Sequence, residues 1–273
     1  MSSTTRTHVT ADDVSLVVRT WEADNAHAVV VLVHGISEHT SRYNHVADAF
    51  TAAGITLVGF DLRGHGESGG PRIDVKDFGS FISDVGEMIT MVRERGLPVV
   101  MYGHSLGGLI SLSYAVEGKN LPDGLILSSP ALGAKLAPGL EPVGRLIAKF
   151  APGFRLPTSI KGSQLSGDPS VGEAYFADPL VVTKSTARMG VGVLDAMVAV
   201  RTRIEDLTVP TYVFHGSLDT LVPTEVSEIL ETNPLVRRVV YEGMAHETHN
   251  EVDKARVIAD LVAAAEQFVT STT

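Results

Sequence analysis

The chain of 273 residues contains no cysteine. That absence excludes a disulfide frame, a thiolate nucleophile, a zinc ribbon and an iron–sulfur cluster. It also leaves no thiol chemistry from which to read a compartment. Basic residues are scarce, with 22 Lys and Arg against 32 Asp and Glu, for a formal net charge of −10. A general nucleic-acid binder needs a basic face to neutralise phosphates, so no nucleic-acid partner is expected. Long hydrophobic runs are missing too. Ala28–Val33, the longest near the start, falls far short of the ~20 residues of a membrane-spanning helix. Met1–Asp13 carries one basic residue, Arg6, with no apolar run behind it, so no signal peptide is read there. A cytoplasmic protein is the expectation.

What is present points to a folded α/β domain. Hydrophobic residues make up 44% of the chain and charged ones 20%, a balance that suits a packed core and not disorder. Short β-branched runs recur at Val14–Arg19, Val29–Val33, Ile55–Phe60, Pro98–Tyr102, Leu125–Leu127, Tyr212–Phe214 and Val236–Tyr241. Several are apolar throughout, as strands buried on both faces of a mostly parallel sheet would be. Between them lie helical stripes. Phe78, Phe81, Ile82, Val85, Met88, Ile89 and Val92 are spaced by threes and fours, as are Leu109, Leu112 and Val116, and Ile258, Leu261, Val262 and Ala265 near the end. From Gly133 to Arg203 strand signals disappear. Gly- and Pro-rich sequence gives way to a helical pattern around Ala187–Arg203. That stretch reads as an insertion (133–203) into a domain formed by 1–132 and 204–273.

Gly103-His104-Ser105-Leu106-Gly107 is a G-x-S-x-G pentapeptide. The five residues alone are a weak signal, but a strand pattern precedes them and a helix pattern follows. That strand–turn–helix context is what a nucleophile elbow requires. A serine nucleophile needs a base, and the base an orienting carboxylate. Asp219 follows the strand Tyr212–Phe214, and His246 follows Val236–Tyr241. All three residues then fall in loops at the carboxyl ends of separate strands, the edge where open α/β sheets build sites. His249 competes as the base but lies nearer the final helix. His215 precedes the carboxylate, and Asp206 precedes its strand and so belongs to the wrong edge. The backbone N–H of Leu106 and that of Ile36, in the loop His34–His39, are the expected oxyanion donors.

These residues resemble the α/β-hydrolase superfamily, and within it the monoacylglycerol lipase and lysophospholipase group. The resemblance spans nearly the whole chain through HGISEHTSRY at 34–43, FDLRGHGESGG at 60–70, YGHSLGG at 102–108, HGSLDTLVP at 215–223 and EGMAHETHNE at 242–251. It implies an α/β-hydrolase fold: a mostly parallel central sheet, helices on both faces and a helical cap insertion over an acyl pocket. It also implies Ser105, Asp219 and His246 as the triad, and Glu38, His39, Arg42 and Tyr43 shaping the polar end that takes glycerol, with His104 beside them. The implied chemistry is serine ester hydrolysis without cofactor or metal. A broad carboxylesterase or lysophospholipase, and a ligand-binding module with little turnover, stand as alternatives. An epoxide hydrolase or dehalogenase would place a carboxylate at the elbow, where Ser105 stands.

Other signals are weaker. Gly64–Gly69 fits G-x-G-x-x-G, but no helix opens there to bind a pyrophosphate, so the loop reads as structural. His246 and His249 are three apart, one short of the helical zinc-protease spacing. Trp21, Phe78 and Phe81 read as core, and Glu251–Arg256 as a solvated helix face. Within Ala131–Gln164, five basic residues (Lys135, Arg145, Lys149, Arg155, Lys161) face one acidic residue, Glu141. Leu140, Val143, Ile147 and Phe150 sit among them at helical spacing. Two readings stand: a cap helix packed on the domain, or a face that also touches lipid aggregates and makes the protein peripheral to a membrane.

Overall fold

The six residues Ala28–Val33 are all buried. Their side chains alternate, with Val29, Val31 and Val33 in one apolar cluster and Ala28, Val30 and Leu32 in another. A strand buried on both faces needs helices on both sides, and the chain supplies them. The computed structural model describes residues 3–158 and 160–270. In chain order its elements are β1 (Thr4–Val9), β2 (Ser15–Trp21), β3 (Ala28–Val33), α1 (Asn44–Ala52), β4 (Ile55–Phe60), α2 (Gly79–Arg93), β5 (Val99–His104), α3 (Leu106–Ala115) and β6 (Gly124–Ser128). There follow α4 (Leu140–Phe150), β7 (Arg155–Pro157), α5 (Gly162–Leu165), α6 (Pro169–Ala177), β8 (Lys184–Thr186), α7 (Ala187–Arg201), β9 (Thr211–Gly216), β10 (Val236–Tyr241) and α8 (Lys254–Thr270).

Eight strands form one sheet in the order β1-β2-β4-β3-β5-β6-β9-β10. β1 and β2 run antiparallel at one edge; every pairing from β4 to β10 is parallel. Residues of α2 and α3 pack in one cluster, those of α1 and α8 in the other. Each fully buried Val, Leu or Ile contributes about 1.5–3 kcal/mol by leaving water, so the central strands are the rigid part. Their carboxyl ends, at Val33, His104, Gly216 and Tyr241, lie along one edge of the sheet, and the loops that leave them build the site.

The long segment between β6 and β9 lies outside the sheet. It differs from the sequence expectation in one respect: β7 and β8 pair antiparallel, Leu156 opposite Ser185. Three-residue strands are too short to show a period, which hid them. The polar N-terminus hides a strand for another reason. β1 is an edge strand with mostly exposed residues, so it needs no apolar pattern. A further correction concerns Glu251, expected on a solvated face. It is buried and accepts hydrogen bonds from Ala245 N (2.7 Å), Gly167 N (3.0 Å) and Ser166 Oγ (3.1 Å). The helix starts only at Lys254, so Glu251 belongs to the loop before it. Gly64–Gly69 is a closed structural loop, Gly64 N donating to Gly69 O at 2.7 Å.

Candidate active site

β5 ends at His104 and α3 begins at Leu106, leaving Ser105 to make the whole turn. It does so at φ 52° and ψ −115°, a conformation that costs a non-glycine residue about 1–3 kcal/mol and recurs at functional sites. The neighbourhood over-determines it. Ser105 N donates to Ser128 O at 2.9 Å, and its carbonyl accepts from Leu109 N and Ala131 N. α3 can reach this position only because residue 107 lacks a side chain: a Cβ there would lie 2.0 Å from Val33 O. Leu106 opens α3, so its N–H falls in the first turn, where helical N–H groups have no partner within the helix.

His246 Nδ1 donates to Asp219 Oδ2 at 2.6 Å. That bond fixes the neutral tautomer with Nε2 free to accept a proton. Asp219 is held in turn: Oδ1 accepts from Leu221 N and Val222 N, each at 2.9 Å, and Oδ2 from His215 Nε2 at 3.1 Å. Burial alone would raise its pKa, but the His246 charge and these hydrogen bonds hold the carboxyl well below its usual range. Burial likewise opposes the His246 imidazolium, yet Asp219 outweighs it and lifts that pKa above the ordinary histidine value. The backbone of His246 is pinned on both sides, its carbonyl by Ser129 Oγ (2.9 Å) and its N–H by Gln164 O (3.3 Å).

The other candidates separate clearly. His215 lies near the end of β9 and not in the loop after it, and it donates to Val222 O as well as to Asp219. Asp206 is exposed in the turn before β9 and pairs with Arg203. His249 is buried, stacks on Tyr43 at 5.0 Å, and is driven well below the histidine range by burial and by His104. His104 is pushed down to about 4 by burial and by His246, whose ring lies 4.9 Å away.

Behind the serine lies a buried polar network. Gly35 N and Tyr43 Oη donate to Glu38 Oε1 at 2.6 and 2.8 Å. Arg42 Nη1 donates to Glu38 Oε2 at 2.6 Å, and its two Nη atoms grip Glu247 at 2.8 and 2.7 Å. His39 Nε2 donates to Asp178 Oδ2, just beyond α6, at 2.8 Å. A cavity of about 610 Å³ opens beside this network. Ile36, Glu38, His104, Ser105, Leu106, His246 and Glu247 line its polar end. Leu140, Val143 and Ile147 of α4, Tyr175 of α6, and Met189, Val193, Leu194 and Met197 of α7 line the rest. Of the five residues expected at the polar end, Glu38 and His104 line the cavity. His39, Arg42 and Tyr43 stand one layer behind and hold Glu38 and Asp178. Sequence reasoning missed Tyr175 and Glu247. Glu247 sits next to His246 in the last motif; nothing local marks Tyr175.

An eight-stranded, mostly parallel sheet with a serine elbow and a histidine–aspartate pair at its carboxyl edge defines an α/β-hydrolase. The chain belongs to the Hydrolase_4 family, described as serine aminopeptidase, S33, which matches residues 24–253. It is 35% identical over 260 residues to a monoacylglycerol lipase of Mycolicibacterium smegmatis, covering 91% of each chain. It is 29% identical over 259 residues to phospholipase YtpA of Bacillus subtilis, covering 92% of this chain and 99% of that one. The crystal structure of a monoacylglycerol lipase from Paleococcus ferrophilus superposes with a TM-score of 0.84 at 26% identity, over 93% of this chain and 98% of that one.

Proposed function

We propose that the protein hydrolyses the ester bond of monoacylglycerols, releasing fatty acid and glycerol through an acyl-enzyme on Ser105. The observation that carries this reading is a single cavity, apolar along most of its length, whose polar end holds Ser105 and the His246–Asp219 pair. The 35% identical monoacylglycerol lipase supports the substrate class. His246 Nε2 takes the Ser105 proton as Oγ attacks the carbonyl carbon. Asp219 stabilises the imidazolium, and the N–H groups of Ile36 and Leu106 receive the oxyanion. The imidazolium then protonates the glycerol oxygen as the ester C–O bond breaks. Water, deprotonated by His246, attacks the acyl-enzyme, and the proton returns to Ser105.

Two observations sharpen the substrate. Both carboxylates at the polar end are committed to Arg42, Tyr43 Oη, Gly35 N and Asn250 Nδ2. Three donors already hold each of them, which supports an ester over an aminopeptidase substrate. Residues 133–203 act in it as a cap over the acyl end, with 1–132 and 204–273 as the core. α4 has no buried residue, and Leu146 (59% exposed), Phe150 (75%) and Phe154 (54%) face outward. That supports contact of the cap with lipid aggregates, peripheral to a membrane. No helix among the described residues is long and apolar enough to cross one. Of the basic residues there, Arg145 is tied to Glu141 and Asp195 at 2.9 and 2.7 Å, whereas Lys149 lies over the Phe150 ring. Lys149 is therefore the residue of α4 through which charge would act on lipid.

Ser105→Ala is the test of the chemistry. Turnover of a short p-nitrophenyl ester should fall by about 10⁴-fold or more, and turnover at the wild-type rate would refute the mechanism. Rates on monoacylglycerol, diacylglycerol and lysophospholipid decide the substrate. Preference for the lysophospholipid would favour the phospholipase reading that the Bacillus relative suggests. Failure of a fluorophosphonate probe to label Ser105 would favour a binding module.

A further inference from the structure

We propose that Arg42 is a positioning residue that sets the pH at which the site works: clamped between Glu38 and Glu247, it offsets part of the charge of two carboxylates that line the cavity with His246 and so keeps the imidazole able to accept the serine proton near neutrality. The proposal rests on the reading of His246 as general base. Its starting point is where the charges lie. Glu38 and Glu247 line the cavity together with Ser105 and His246; Arg42 does not. Arg42 therefore acts on the chemistry through the two carboxylates and not by touching substrate.

The clamp is buried, with side-chain exposure of 12% for Arg42 and 3% for each of its partners. The Tyr175 ring lies against the guanidinium, 5.0 Å from ring centre to Cζ. Buried charges are screened far less than exposed ones, so each of the three acts on His246. The groups facing His246 come from every element around it. Asp219, backed by His215, comes from the β9 loop, and Ser105 and His104 from the elbow. Glu38 and Arg42 come from the loop after β3, Glu247 and His249 from its own loop, and Tyr175 from α6. His104 and His249 are neutral at working pH because burial and neighbouring cations oppose their charge. Asp219, Glu247 and Glu38 each favour the imidazolium, and Arg42, bonded to the last two, is the cation that offsets part of their charge. Remove it, and His246 faces three carboxylates.

The same clamp joins the two loops that carry the chemistry. Glu38 holds Gly35 N at the entrance to the Ile36 loop, and Glu247 follows His246 directly. An uncompensated Glu38 would also stand close to the oxyanion. The loss of rate in a charge-removed variant is therefore expected to be greatest at low pH and to persist in part at high pH.

The experiment is the pH profile of kcat/KM on a dissolved p-nitrophenyl ester, whose acid limb reports the base of the free enzyme. Four variants are compared with wild type: Arg42→Lys, Arg42→Gln, Glu247→Gln and the double Arg42→Gln/Glu247→Gln. Arg42→Gln should move the acid limb up by about one pH unit, the scale of a nearby charge's effect on a pKa. Arg42→Lys, which keeps the charge but loses the fork, should lower the rate with the limb within a few tenths of a unit of wild type. Glu247→Gln removes a negative charge beside an intact Arg42 and should move the limb down. The double variant should fall between the two single ones. Glu247→Gln keeps the proposal testable if Arg42→Gln does not fold. A uniform loss of rate with unmoved limbs in Arg42→Gln and Glu247→Gln would overturn it, as would a change confined to KM. Failure of the underlying reading looks different: wild type would then show no acid limb in the histidine range.

Discussion

Two helices touch the same cavity and could hardly be built more differently. Every residue of α3 is buried, from Leu106 to Ala115. No residue of α4 is, although Leu140, Val143 and Ile147 line the acyl end. α3 is buried on all sides because sheet, α2 and α7 enclose it, so its N-terminus cannot shift without disturbing the core. α4 lies against α7, with apolar residues on its outer side as well. The helix that follows Ser105 is fixed by burial; α4, at the other end of the cavity, rests mainly on α7. Elements that must move come from the low-stability end of a fold.

Predictions follow from pressing on that contrast. The largest concerns Gly107→Ala. A Cβ 2.0 Å from Val33 O meets backbone on a central strand, so the loss should exceed about 4 kcal/mol. Calorimetry should show a Tm lower by about 10 °C or more; an unchanged Tm would mean α3 is not locked as described. Next comes native-state hydrogen exchange. Amides of α3 should exchange only by global unfolding, and those of α4 about a thousandfold faster through local opening. Equal protection would dissolve the contrast.

Residues 164–167 should resemble α3 more than α4. The Gln164 and Leu165 carbonyls accept from His246 N and Glu247 N, and Ser166 and Gly167 donate to Glu251. Glu251→Ala would strand those donors and Ala245 N, at a cost of about 3 kcal/mol, and should lower kcat because the His246 loop loosens. Smaller still is the effect of Leu146→Ser with Phe150→Ser. The ratio of turnover on vesicle-borne to dissolved ester should fall about fivefold, since each removes apolar surface from the face offered to lipid. A constant ratio would leave α4 as a packed cap only. The smallest is Gly144→Ala in mid-α4. Nothing lies within 4 Å of a Cβ there, so helix propensity alone acts, about 0.5–1 kcal/mol. Exchange of α4 amides should slow by about two- to fivefold.

Much of the site was legible because it is written locally. The elbow is five consecutive residues between a strand and a helix, and Asp219 and His246 each follow a strand within a few residues. Strand and helix periods place those loops at one sheet edge whatever the side-chain detail. The missed elements lacked a period to show: β1 is an exposed edge, and β7 and β8 span three residues each. The misread or unassigned side chains share another cause, that their partners are far away in the chain. Arg42 meets Glu247 across 205 positions, and Ser166 meets Glu251 across 85. Resemblance grouped Arg42 with the polar end, but only the packed structure sets it behind Glu38. Pattern suggested a solvated Glu251, which folding made the anchor of Ser166 and Gly167.

By itself, then, the amino-acid order determined the class of fold and placed Ser105, Asp219 and His246, the proposed nucleophile, orienting carboxylate and base, in loops after separate strands. Local backbone geometry and burial periodicity are properties of neighbouring residues and can be read from them. Which carboxylates pair with which guanidinium, how Gln164 and Leu165 are fastened to the His246 loop, and which helix is left without a buried residue were decided only by the tertiary structure. Those depend on distances between residues that the chain itself keeps far apart.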